Sequence, residues 1–285
     1  MTKKNGSQPQ RRSRRDRKGA SKGESPSEIG SLSLNDSHNK QEVAKTFCVS
    51  GAEALLDGEV DDALDCYRRA SRLDPSSVVA CVGIGKALLA RGEYSRALEE
   101  AQRAVKLDSK FAEAYELRGH AYRLCENYSA AIRDYDAALA LDRKLYLSFY
   151  GRAIARDMLG EIELALEDFR SCLTIAPTFV SAYYDRGVLF ANSGRLDEAI
   201  KDYSKALELD PYFLHCYVAR GAALTESGRP RRAMQDFNKA IELDPDAPDA
   251  YYYRSLAQLE LGEARAAQRD RLAASERGFD EENDA

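Results

Sequence analysis

Between residues 44 and 277 the hydrophobic positions fall into blocks, each with two stretches of helical spacing parted by a short polar break. In residues 180–213 the large residues Tyr183, Val188, Leu189 and Phe190 share the first stretch. Asn192-Ser193-Gly194 interrupts it, and glycine suits the left-handed conformation that ends a helix. Asp197 opens a second stretch in which Ala199, Tyr203, Ala206 and Leu207 form one apolar stripe. Asp210-Pro211 closes it, because proline cannot continue the helical hydrogen-bond ladder. The block therefore predicts two helices joined by a tight turn.

The block recurs every 34 residues. Ala63, Ala97, Ala131, Ala165, Ala199, Ala233 and Ala267 keep that step throughout. Aromatic residues follow the same grid at Phe47, Tyr115, Phe149, Tyr183, Tyr217 and Tyr251. Glycines recur at Gly58, Gly92, Gly160, Gly194, Gly228 and Gly262, where each first helix must turn into its second. Seven units follow: 44–77, 78–111, 112–145, 146–179, 180–213, 214–247 and a capping unit, 248–277. No single hairpin can bury its own apolar face, so the units must stack, and the fold class is all-α.

Tyr183-x-x-Arg186-Gly187, Gly194, Ala199, Tyr203, Ala206 and Asp210-Pro211, echoed in the other units, resemble the tetratricopeptide repeat. The resemblance covers about residues 44–277 and implies a right-handed superhelical solenoid with a concave groove. It also implies that first-helix positions 2, 5, 6, 9, 12 and 13 of each unit line that groove. Mapped onto this chain, the groove set contains Glu113, Glu116, His120, Arg123, Tyr150, Ile154, Asp157, Tyr184, Asp185, Val188, Glu226 and Tyr252. Acids outnumber bases there, Lys45, Lys86 and Arg123 being the basic members. An apolar-aromatic floor with surplus carboxylates is expected to select a basic or neutral peptide. The competing reading is an ordinary solvated charged face. Relatives that grip the carboxylate terminus of heat-shock chaperones use Lys and Asn side chains where this chain has Cys48, Ala52, Gly83, Glu113 and Leu117, so that partner is not expected.

Some positions depart from the grid. Glu126-Asn127 stands where the third unit needs its turn glycine, and Asn127 is the residue expected to take the left-handed conformation. Arg156 occupies a normally apolar slot and is either paired structurally or free to bind. Arg271 and Arg277 replace core residues in the last helix, as a polar end cap would. Arg118, Arg152, Arg186, Arg220 and Arg254 keep step with Asp134, Asp168, Asp202, Asp236 and Asp270, which predicts one ion pair per unit. Read as exposed pairs, each is worth only ~0–1 kcal/mol, enough to fix register.

Charge separates the ends from the middle. Residues 1–22 hold nine basic residues against Asp16 alone, a local charge of +8 that leaves the rest of the chain at −13. Residues 1–43 carry few large apolar side chains and are expected to be a disordered basic tail; 278–285 is expected to be a short, frayed acidic tail. The cluster Arg11, Arg12, Arg14, Arg15, Arg17 and Lys18 suits nuclear import, nucleic-acid phosphates or the chain's own acidic groove. Phosphorylation of Ser13 would weaken the last of these.

Candidate chemistry is sparse. Three histidines accompany six scattered cysteines that form no Cys-x-x-Cys pair, so no metal site or cofactor is expected. No run approaches the ~20 apolar residues of a spanning helix, and no apolar stretch backs the basic N-terminus as in a secretory signal. The expected setting is cytoplasmic, nuclear or both. The expected function is a non-catalytic scaffold holding partner peptides in the groove, with nucleic-acid association through the arm as the alternative.

Overall fold

The computed structural model describes residues 37–280, so the Arg11–Lys18 arm and the end of the acidic tail lie outside the described residues. Those residues form fourteen α-helices and no strand: α1 (Ser37–Leu56), α2 (Val60–Leu73), α3 (Val78–Ala90), α4 (Tyr94–Leu107), α5 (Ala112–Leu124), α6 (Tyr128–Leu141), α7 (Tyr146–Asp157), α8 (Ile162–Ile175), α9 (Val180–Asn192), α10 (Leu196–Leu209), α11 (Leu214–Glu226), α12 (Pro230–Leu243), α13 (Pro248–Glu260) and α14 (Ala264–Glu276). Each odd-numbered helix packs against the even-numbered helix after it, giving seven hairpins stacked in chain order.

The grid residues explain the stacking. Ala63, Ala97, Ala131, Ala165, Ala199, Ala233 and Ala267 are all fully buried, and their small side chains let the two helices of a hairpin approach closely. Tyr135, Phe169, Tyr203 and Phe237 are the largest fully buried side chains and fill the space between successive hairpins. Each aromatic ring removes roughly 150–250 Å² from water, so these positions dominate the packing energy. Odd-numbered helices also touch one another along the stack, α3 with α5 and α5 with α7, while the even-numbered helices meet no comparable neighbours of their own kind. The stack therefore curves, with the odd-numbered helices lining its inner face.

Three local expectations are corrected. Helix α1 begins at Ser37 rather than Ala44, and Val43 is buried. No proline or glycine separates Ser37 from Ala44, so the helix runs on past the start of the repeat grid. Phe279 is not part of a frayed tail: it is buried and stacked on Tyr252. In the third unit Glu126, not Asn127, takes the left-handed conformation, with φ 59°. Asn127 instead caps α6, its side chain accepting from the Ala130 amide. The turn bond from the Asn127 amide to the Tyr122 carbonyl fixes which residue must be left-handed, and it is the one in register with the turn glycines.

Candidate functional site

The inner face has one well-formed cavity of about 470 Å³, between α3, α5 and α7. Leu89, Leu117, Leu124 and Leu147 give it apolar walls, and Lys86, Glu116, His120 and Arg123 surround them. Gly151 and Tyr135 form its floor. A Cβ at Gly151 would lie 2.4 Å from the Tyr135 hydroxyl, so only glycine lets that ring extend beneath the groove.

Hydrogen bonds join successive repeats around this cavity. The Ser148 hydroxyl donates to Glu116 Oε2 at 2.7 Å, and the Tyr150 hydroxyl donates to Asp185 Oδ2 at 2.6 Å. Tyr150 is further braced edge-on by Phe169 and Phe179. Burial raises the pKa of Glu116 and of Asp185, outweighing the donors that favour their charged forms. Asp157 is raised by burial as well. Among the described residues none of these three acids has a lysine or arginine at ion-pair distance.

His120 points into the groove, where desolvation and the Arg123 guanidinium push its pKa down to about 4. Its ring keeps an edge open to solvent, so the secure consequence is a neutral imidazole at pH 7. The Nε of Arg123 is buried without a hydrogen-bond partner, although the guanidinium lies near Tyr135. Lys86 is exposed at the cavity edge, with neither it nor Arg123 in an ion pair among the described residues.

The structure thus gathers Glu116, His120, Arg123 and Tyr150 at one cavity and links Asp185 to it through Tyr150. Glu113 is half-buried on the same helix, α5. Ile154 and Val188 pack into the interior beside the groove. Tyr184 leans on Tyr203 and Phe213, and Tyr252 on Tyr253 and Phe279, so both rings serve packing as well as lining. Glu226 is exposed further along the stack. Sequence reasoning missed Gly151, Leu124, Leu147 and the reach of Tyr135. The one available signal was Gly151 itself, a glycine outside the recurring glycine columns.

The Arg–Asp pairs sit behind this face and stitch each hairpin internally. Arg118 clamps Asp134 through Nε and Nη2, both at 2.7 Å, and Arg186 clamps Asp202 at 2.6 and 2.8 Å. The third nitrogen of some members reaches the preceding unit, as from Arg254 to Asn238 at 2.7 Å. The aspartates are buried, so the reading of the ladder as exposed pairs is corrected. Arg156 joins the set by donating to Asp168 at 2.7 Å, which makes it a structural partner and not a groove ligand.

Little in the fold points to bond-making chemistry. Burial pushes the Cys172 and Cys216 thiols up to about 12, far from a reactive thiolate. Among the described residues no group of His, Cys, Asp and Glu side chains could hold a metal ion, and no helix is long and apolar enough to cross a membrane.

Family models for the tetratricopeptide repeat match residues 112–145 and 180–213, and one for the TPR repeat matches 85–124 and 221–262. Among solved structures, YrrB, described as a TPR protein with an unusual peptide-binding site, is 25% identical with a TM-score of 0.53; the match covers 65% of this chain and 95% of that one. PilF from Pseudomonas aeruginosa is 17% identical at a TM-score of 0.66, over 76% of this chain and 98% of that one. MamA is 30% identical at a TM-score of 0.48, over 56% of this chain and 94% of that one. No curated protein matches the chain at a significant level.

Proposed function

The chain belongs to the tetratricopeptide repeat family, whose stacked hairpins make protein-interaction scaffolds, and from that premise we propose that its inner face holds an extended peptide segment of a partner protein. The observation that carries this reading is the 470 Å³ cavity between α3, α5 and α7. It combines apolar walls with polar groups that have few partners inside the protein, as in the central pockets that dominate binding energy. The similarity to YrrB, itself described as having a peptide-binding site, supports the same reading.

The role proposed is non-catalytic. Nothing beside His120 offers a nucleophile, and the buried thiols examined above are poorly ionised. A heat-shock chaperone terminus is a poor candidate ligand, since Cys48, Ala52, Gly83, Glu113 and Leu117 supply no cationic clamp.

Selection of a displayed random dodecamer library on the immobilised full chain tests the reading. Peptides are expected to be recovered by the native protein and lost on the Tyr150→Ala, Asp185→Lys variant. Recovery of none, or equal recovery by both proteins, would show that this face is merely a solvated surface.

A further inference from the structure

The charges along the groove are sorted by position, which an average over the whole face conceals. On the side of the cavity toward the first repeats stand Lys86 of α3 and Arg123 of α5, both without a carboxylate partner among the described residues. On the other side stand Asp157 of α7 and Asp185 of α9, both without a cationic partner and both resisting ionisation through burial. The cavity over Gly151 lies between the two groups.

The other acids of α5 do not cancel this arrangement. Glu116 accepts from Ser148, and burial disfavours its charge. Glu113 lies ten residues before Arg123, about 15 Å along the helix axis. His120 is neutral at pH 7 and adds no charge of its own.

Unpaired charges held in a partly desolvated groove cost free energy that a ligand of opposite charge recovers on binding. We infer that the groove takes a bipolar peptide segment: a carboxylate beside Lys86 and Arg123, a bulky apolar side chain in the cavity, and a cation beside Asp157 and Asp185. This rests on the peptide-binding reading above and sharpens it, replacing a general preference for basic ligands with a required order of charges. A uniformly basic segment would leave the Lys86 and Arg123 end facing like charge.

Fluorescein-labelled decapeptides with a central Phe flanked by Glu on one side and Lys on the other, in both chain directions, provide the probe. Fluorescence anisotropy with the full chain at low salt is the measurement. The better of the two mixed peptides is expected to bind about tenfold tighter than peptides carrying two Lys or two Glu, and replacing Phe by Ala is expected to cost about tenfold. Arg123→Glu should reverse the preference, so that the two-Lys peptide becomes the better ligand. Lys86→Glu, at an exposed position, should shift it the same way and guards against a folding defect in the first variant. Equal binding of two-Lys and mixed peptides by the native chain, or an unchanged preference in both variants, overturns the inference. Failure of every decapeptide overturns it too, and the groove reading survives that result if the random library still yields groove-dependent peptides.

Discussion

Phe279 lies flat on Tyr252, with ring centroids 4.2 Å apart and planes 21° from parallel. Inside the stack the equivalent partner comes from the residue that leads into the next unit: Phe213 over Tyr184 at 4.8 Å and Phe179 against Tyr150 at 5.0 Å. Phe279 thus stands in for the next hairpin, brought round by Gly278 in a left-handed turn with φ 92°. Its ring covers apolar surface that α13 and α14 cannot cover themselves.

Phe279→Ala is therefore expected to destabilise the last hairpin by roughly 3 kcal/mol, the lower end of the cost of emptying an aromatic site in a core. The loss should be local, because a solenoid transmits stability only between neighbours. Hydrogen exchange should show faster opening of α13 and α14 with α3–α6 unchanged. Unaltered protection of α13 would mean that the ring is an ornament on the chain end.

The ion-pair ladder carries more energy than its sequence pattern implied. Asp202 is 7% exposed and takes two bonds from Arg186, whose ring-side face also lies 5.8 Å from the centre of Tyr183. Removing one partner strands the other, which costs about 3–5 kcal/mol at a buried site. Asp202→Ala is expected near the lower end of that range, since part of the Arg186 side chain reaches solvent. A double-mutant cycle with Arg186→Met, read by urea unfolding, should give a coupling above about 1 kcal/mol. A coupling near zero would return the pair to the exposed, weak class.

The repeat was legible because every hairpin buries the same positions against the same neighbours, so Ala199 or Tyr203 advertises its role through six copies elsewhere. The cavity was not legible, because it arises from exceptions to the grid. Gly151 withholds a side chain above Tyr135, which lies on another helix of the preceding unit. Ser148 meets Glu116 across 32 residues of sequence, and neither residue type announces the other. Groove membership of Arg123 and Asp185 followed from the family resemblance, whereas their lack of ion-pair partners depends on three-dimensional neighbours that no periodicity encodes.

Glu126 offers a cleaner energetic test, because its backbone is the only non-glycine one with positive φ among the described residues. A left-handed conformation costs a residue with a Cβ roughly 1–2 kcal/mol, and glycine escapes that penalty at some expense in unfolded-state entropy. Glu126 is exposed, so its side chain contributes little packing in return. Glu126→Gly is expected to stabilise the protein by about 0.5–1 kcal/mol, seen as a higher urea midpoint with an unchanged slope. A lower midpoint would show that the carboxylate has a stabilising role outweighing the backbone strain.

His120 ties the groove to pH. Its folded pKa is pushed below the ordinary 6.5, to about 4, by desolvation first and by the Arg123 charge second. The unfolded chain therefore binds the proton more readily than the folded one. The stability due to this group is complete above pH 6.5 and declines as pH falls toward 4. The decline is modest, because the ring keeps an edge in solvent. Proton NMR of the His120 ring should give a midpoint clearly below 6.5, and Arg123→Gln should raise it by removing the nearby cation without fully restoring the ordinary value. A midpoint at or above 6.5 in the native protein would mean that the groove is far wetter around His120 than its walls imply. The cavity would then lose the desolvated character on which its grip on a ligand depends.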